Sequence, residues 1–183
     1  MLNRFTPRRW LQIFGSIFLA ACQASAPPRI YPTFQIGRVF SGQSLESVDR
    51  SQQPSVIQSC RLVGIDAPDL AQEPWGRAAK QQLESYLQMP SKDSVSVEFA
   101  GVEADKFGRR FVYLWKDGRL LNEELVKDGY VLASMNSLSP IGGHKYRDRL
   151  SRASQYARLM GNGIWNPDAP MRMDPREFRR EER

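Results

Sequence analysis

The spacing of apolar and polar positions changes character along this chain. "IGRVF" (36–40) and "LESVD" (45–49) alternate apolar with polar, as strands with one wet face do, and the polar "SGQS" between them reads as a turn. "RSQQP" (50–54) reads as a hairpin loop, and "SVIQSCRLVGI" (55–65) as a long third strand. The period then lengthens: "EPWGRAAKQQLESYLQ" (73–88) predicts a helix with Pro74 in its first turn. Alternation returns in "DSVSVEFA" (93–100) and "RRFVYLW" (109–115), and "KDGR" is a tight turn with Asp-Gly at its centre. "LNEELVKDG" (121–129) predicts a short helix closed by Gly129, and "YVLAS" (130–134) a short strand. In "HKYRDRLSRASQYARLMGNG" (144–163), Tyr146, Leu150, Ala153, Ala157 and Met160 recur at helical steps and predict the stripe that faces the core. Lys145, Arg149 and Arg152 fall on another face, predicted to be solvated.

Five short strands with a helix after the third, then further helices, predict an α+β fold: a five-stranded OB-fold β-barrel with about three packed α-helices. Barrels of this kind commonly bind oligonucleotides or oligosaccharides on one face. The chain has 183 residues, enough for one domain with its own core. The ends read differently. Residues 1–21 carry Arg4, Arg8 and Arg9 without an acid, then the apolar run "WLQIFGSIFLAA", which is the pattern of an export signal and too short for a permanent membrane span. "LAAC" at its end resembles a bacterial lipobox, with Cys22 as the lipidated residue; "ASA" (24–26) equally fits the cleavage site of a plain secretory signal. The expected organisation is therefore a signal at 1–21, a linker at 22–34, the barrel domain at 35–168 and a charged tail at 169–183. The product is exported and either membrane-anchored at the cell envelope or released as a secreted or periplasmic protein.

Removing residues 1–21 lowers the formal charge from +6 to +3. That suits a polyanionic ligand without requiring one. The tail from Arg172 is nearly neutral and is not a polybasic arm. Only Cys60 then remains as a free thiol, and its apolar surroundings predict a small buried core residue. An internal disulfide is not expected, and no His/Cys spacing suggests zinc. The single histidine, His144, reads as a surface residue at a helix start. Trp75, Trp115 and Trp165 sit at packing positions. Tyr130 is at a barrel end, where it is either structural or able to stack on a base.

The chemistry gathers around "RLVGIDAPD". Arg61 and Asp66 are five apart, so strict alternation sends them to opposite faces; a bend at Gly64 would bring them together. Pro68 stiffens the turn that aims Asp69, and "DKFGRR" places Arg109 after Gly108 at the start of a strand. Two arginines and two carboxylates suit phosphodiester hydrolysis. Arg61 and Arg109 would hold the phosphate and its developing charge. Asp66, with the backbone carbonyl of Ala67, would ligate a hard divalent cation, and Asp69 would orient or deprotonate water. A salt-bridge network at a strand end would need the same residues.

From about Ile36 to Trp165 the chain resembles the thermonuclease (staphylococcal nuclease-like) family. The resemblance rests on "RLVGIDAPD", "WGRAAKQQL", "DKFGRRFVYLWKDGRLLNEELVKDGYV" and "GNGIWN", in that order. It implies an OB barrel with three helices and a metal-dependent nuclease, typically using Ca²⁺, that cleaves DNA and RNA. By position, Arg61 and Arg109 match the family's phosphate-binding arginines, Asp66 a metal ligand, and Asp69 the catalytic carboxylate, normally Glu. Two departures stand out. Asp69 is one methylene short, and a displacement of about 1 Å costs on the order of 10²-fold in rate. The family's first turn usually reads Gly-Asp-Thr, whereas here Gln43 takes the place of that second metal-ligating Asp. A Gln oxygen can ligate Ca²⁺ but adds no charge, so a weak site is expected. The resemblance therefore leaves two readings, an exported nuclease and a weakened barrel that binds nucleic acid or a protein at the envelope. No protein partner is legible, and a monomer is expected.

Overall fold

The computed structural model describes residues 32–88, 95–134 and 145–182. The signal segment, Cys22, most of the expected linker and His144 lie outside the described residues.

Three antiparallel strands open the fold: β1 (Thr33–Ser41), β2 (Ser44–Asp49) and β3 (Val56–Leu62). The expected third strand is shorter than its apolar run suggests. Val63 and Gly64 form a turn, and the chain resumes as the two-residue β4 (Ile65–Asp66). Gly64 has φ +78°, and a Cβ there would lie 2.4 Å from Leu150 Cδ1, so both backbone and space require glycine. Helix α1 (Trp75–Gln88) follows, starting just after Pro74 rather than including it.

Strand β5 (Val95–Ala104) pairs antiparallel with β1 and with β6 (Arg110–Lys116). The edge of β6 then pairs parallel with β3, matching Cys60 with Arg110 and Arg61 with Phe111. This contact closes the five long strands into a barrel, the expected OB-type α+β architecture. Asp117 and Gly118 both have positive φ in the turn to β7 (Arg119–Leu120), as the Asp-Gly pair predicts.

Helix α2 (Leu121–Lys127) and the short β8 (Leu132–Ala133) come next, with β8 pairing with β4. Helix α3 (Arg147–Met160) ends at Gly161 in the left-handed conformation. Four of its five stripe residues are buried, but Met160 is 60% exposed, because the helix runs past the edge of the core there. Of the basic residues predicted to be solvated, Lys145 and Arg152 are exposed and Arg149 is half-buried; Lys145 pairs with Glu98, and Arg149 with Glu123. A fourth helix, α4 (Pro175–Glu181), forms in the tail.

One core fills the barrel and continues under the helices. Leu45, Leu62, Val97, Val112 and Leu114 from the strands meet Ala79 and Leu83 of α1, Leu125 of α2 and Leu150 of α3. Cys60 is fully buried within it, as its surroundings predict. Trp75, Trp115 and Trp165 are half-buried, and Tyr130 packs against the core edge.

Candidate active site

Three chain features converge at one end of the barrel. The first is the break in the third strand. With Gly64 reversing the chain, Arg61 at the end of β3 and Asp66 in β4 meet on one side, with Arg61 Nη2 at 3.9 Å from Asp66 Oδ1. Asp66 is buried, only 4% exposed, and its backbone is pinned by pairing with Leu132 of β8.

The second is the β3–β6 contact that closes the barrel. It sets Arg109, immediately before β6, beside the strand that carries Arg61. The approach is wound around Asp105, whose Oδ1 accepts from the N–H groups of Phe107 (2.9 Å) and Arg109 (3.0 Å). Its Oδ2 accepts from Arg109 Nε at 2.8 Å. Gln58 Nε2 donates to Gly108 O at 3.2 Å and ties this loop to β3. Burial pushes the Asp105 carboxyl up, but its hydrogen bonds with Arg109 and Phe107 outweigh that and hold it below 3.8. Burial and then the nearby Arg109 lower the proton affinity of Arg61, with Arg179 adding to the effect and Asp66 opposing it. Three guanidinium groups therefore share one electrostatic neighbourhood, which suits an anion.

The third is the β1–β2 turn. Gln43 is buried there; its backbone carbonyl accepts from Leu62 N–H (2.8 Å) and its side-chain Oε1 from Ala67 N–H (3.0 Å). Gln43 thus braces the segment that follows Asp66. A carbonyl oxygen keeps a second lone pair, so one acceptor site on Oε1 remains.

Asp69 stands somewhat apart. It is half-buried, its Oδ1 accepts from Ala71 N–H at 3.1 Å, and no ion pair joins it to an arginine among the described residues. Its position is set by α1: a Cβ on Gly76 would lie 1.7 Å from the Asp69 carbonyl oxygen, so the helix seats directly on that turn.

Sequence reasoning missed the other residues at Asp66. Arg179 Nη2 bonds both its oxygens, at 2.8 and 2.9 Å, while Arg179 Nη1 donates to Ala67 O at 3.2 Å. Arg176 Nε donates to Asp66 Oδ2 at 3.3 Å, and its Nη2 to Ser134 Oγ at 2.6 Å. The signal for α4 is in "DPRE": Asp174 caps the helix by accepting from Arg176 N–H at 2.7 Å, Pro175 fills the first turn and Glu177 sits three residues after the cap. Arg176 and Arg179, three apart, then share a helix face.

Asp66 and the Ala67 carbonyl are hard oxygen donors, and both reach a single cationic group. The donor set therefore fits a cation, with one carboxylate to hold it. Among the described residues, no cluster of three or more His, Cys, Asp or Glu side chains is arranged to hold a metal.

The sequence is similar to those of known proteins. The sequence is 27% identical over 139 residues to the Thermonuclease of Staphylococcus hyicus, a match covering 73% of this chain and 76% of that protein. It is 27% identical over 138 residues to the Thermonuclease of Staphylococcus intermedius, with the same coverage. It is 29% identical over 131 residues to Endonuclease YhcR of Bacillus subtilis (strain 168), covering 67% of this chain but 11% of that much longer protein. A family model described as Staphylococcal nuclease homologue matches residues 59–167, from the strand that carries Arg61 to the end of the barrel domain, and the chain belongs to that family.

Proposed function

We propose that this protein is a divalent-cation-dependent nuclease, with Ca²⁺ as the expected cation, hydrolysing phosphodiester bonds of DNA and RNA outside the cytoplasm. The observation that carries the reading is the placement of Arg61 beside Asp66, with Arg109 immediately before the strand that pairs with Arg61's own. Relatives named as thermonucleases and an endonuclease support it.

Arg61 and Arg109 grip the non-bridging oxygens of the scissile phosphate, and their fixed charge offsets what accumulates as the phosphorus becomes five-coordinate. Arg109 is aimed by Asp105, so its fork is ordered before substrate arrives. Asp69 orients the attacking water and takes its proton. Asp66, the Ala67 carbonyl and the free lone pair of Gln43 Oε1 would hold the cation, which supplies positive charge beside the phosphate. The test is digestion of single-stranded DNA and of RNA by the purified chain with Ca²⁺ and then with EDTA. Cleavage abolished by EDTA, by Arg61→Ala and by Arg109→Ala is expected. No cleavage with Ca²⁺, Mg²⁺ or Mn²⁺ overturns the reading.

Gln43 and the engaged Asp66 favour a second reading, a weakened barrel that binds nucleic acid without cutting it. Retained binding of an uncut oligonucleotide under those conditions would establish it. The N-terminal pattern adds a location: residues 1–21 direct export and Cys22 carries a lipid that tethers the barrel to the envelope. Cys22→Ala is expected to release the protein from membranes; retention there removes the anchor.

A further inference from the structure

Helix α4 lies on the oxygen atoms that the nuclease reading gives to the cation. Arg179 alone bridges them, with Nη2 on both oxygens of Asp66 and Nη1 on the carbonyl of Ala67. Arg176 adds a second contact to Asp66 and anchors on Ser134. A dication bound to Asp66 and Ala67 O would meet these guanidinium protons at the same lone pairs, so the two occupants exclude each other.

The charge count disfavours a dication while α4 is docked. Gln43 Oε1 already accepts from Ala67 N–H, and its remaining lone pair brings no charge, so Asp66 supplies the negative charge at the position. That one carboxylate already faces the guanidinium groups of Arg61, Arg176 and Arg179, and by itself it would leave a dication under-neutralised.

The helix is built to detach. It has seven residues, too few to be stable alone, and Pro175 is its only buried residue. It is held by polar side-chain bonds, including Gln72 Nε2 to Met173 O at 2.8 Å, rather than by the core. Elements held in this way open at low cost.

We infer that α4 is an autoinhibitory plug: Arg179 acts as an internal cation at Asp66 and Ala67, and a divalent cation binds there only when α4 lifts away. The inference rests on Asp66 and Ala67 O being the cation's ligands. If α4 is docked nine times in ten, it weakens the apparent affinity for the cation about tenfold.

The test is calorimetric titration of Ca²⁺ into the full chain, as wild type, Arg179→Gln and Arg176→Gln/Arg179→Gln, with amide hydrogen exchange of residues 175–181. The expected result is Ca²⁺ affinity about tenfold or more tighter in the double variant, and α4 protection lost as wild type is saturated. Unchanged affinity in both variants, or α4 protected at saturating Ca²⁺, overturns the plug. Arg179→Gln with Asp66→Asn checks the site, and tightened binding that survives Asp66→Asn also overturns it. Tightened binding without DNA cleavage in any variant leaves the plug standing and removes the nuclease reading instead.

Discussion

At the scale of single residues, the site is organised by side chains that never need to touch substrate. Asp105 is the clearest. It collects two backbone N–H groups and the Arg109 side chain, fixing the direction of the guanidinium. Asp105→Asn removes the charge and loosens that fork. KM for single-stranded DNA is expected to rise about tenfold, with a smaller change in kcat, in steady-state assays. Because the folded carboxyl titrates below the 3.8 of an unperturbed aspartate, its ion pair contributes fully above that pH and is lost as pH falls through the lower folded value. A carbon-detected NMR titration should give an Asp105 midpoint below 3.8; one at or above it removes the role. Cys60 moves the other way. Burial raises its thiol above 9.0, Ser47 Oγ lies 3.4 Å from Sγ, and alkylation of Cys60 at pH 8 is expected only after unfolding. Arg61, Asp66, Asp69 and Arg109 were nameable because their spacing around "RLVGIDAPD" and "DKFGRR" is local. Asp105 stood in the same motif, but its role was invisible because it acts through a bent loop rather than through sequence position.

At the scale of elements, alternation and helical period located the five long strands and helices α1 to α3 but not the short β4 and β7, and the errors have physical causes. The third strand reads as continuous because Leu62, Val63 and Ile65 are all apolar; only the positive φ of Gly64 divides it, and that division brings Arg61 to Asp66. Helix α4 was hidden because its tail is charged and nearly uncovered by core, so no apolar stripe announces it; the capping residues did. The seat of α1 on the Asp69 turn gives an element-level prediction. Gly76→Ala places a methyl group into the Asp69 carbonyl, so helix and turn must separate. Overpacking of this kind costs about 1–3 kcal/mol, visible as a lower thermal midpoint. A shift of Asp69 by about 1 Å should lower kcat on the order of 10²-fold. A variant with wild-type midpoint and rate would show that the turn adapts freely.

At the scale of the whole molecule, the barrel and helices α1 to α3 are expected to unfold as one body, because buried polar bonds join what the apolar core already packs. Asn122 on α2 is fully buried. Its Oδ1 accepts from Leu114 N–H in β6 at 3.0 Å, and its Nδ2 donates to Val63 O, in the turn between β3 and β4, at 2.9 Å. One side chain thus connects a helix, the closing strand and the break that carries the site. Apolar patterning could not reveal it, since an asparagine in "LNEEL" reads as the polar face of a helix. Asn122→Ala leaves a buried N–H and a buried carbonyl without this partner, at about 1–3 kcal/mol each. Urea unfolding should therefore show a lower midpoint, corresponding to a loss of about 2–6 kcal/mol of stability. Tryptophan fluorescence and far-UV circular dichroism should still trace one transition, because α1, α2 and α3 share the barrel's core. If the two probes separate in the variant, the helices are a unit of their own. Asn122 would then be the joint between two bodies rather than a brace within one.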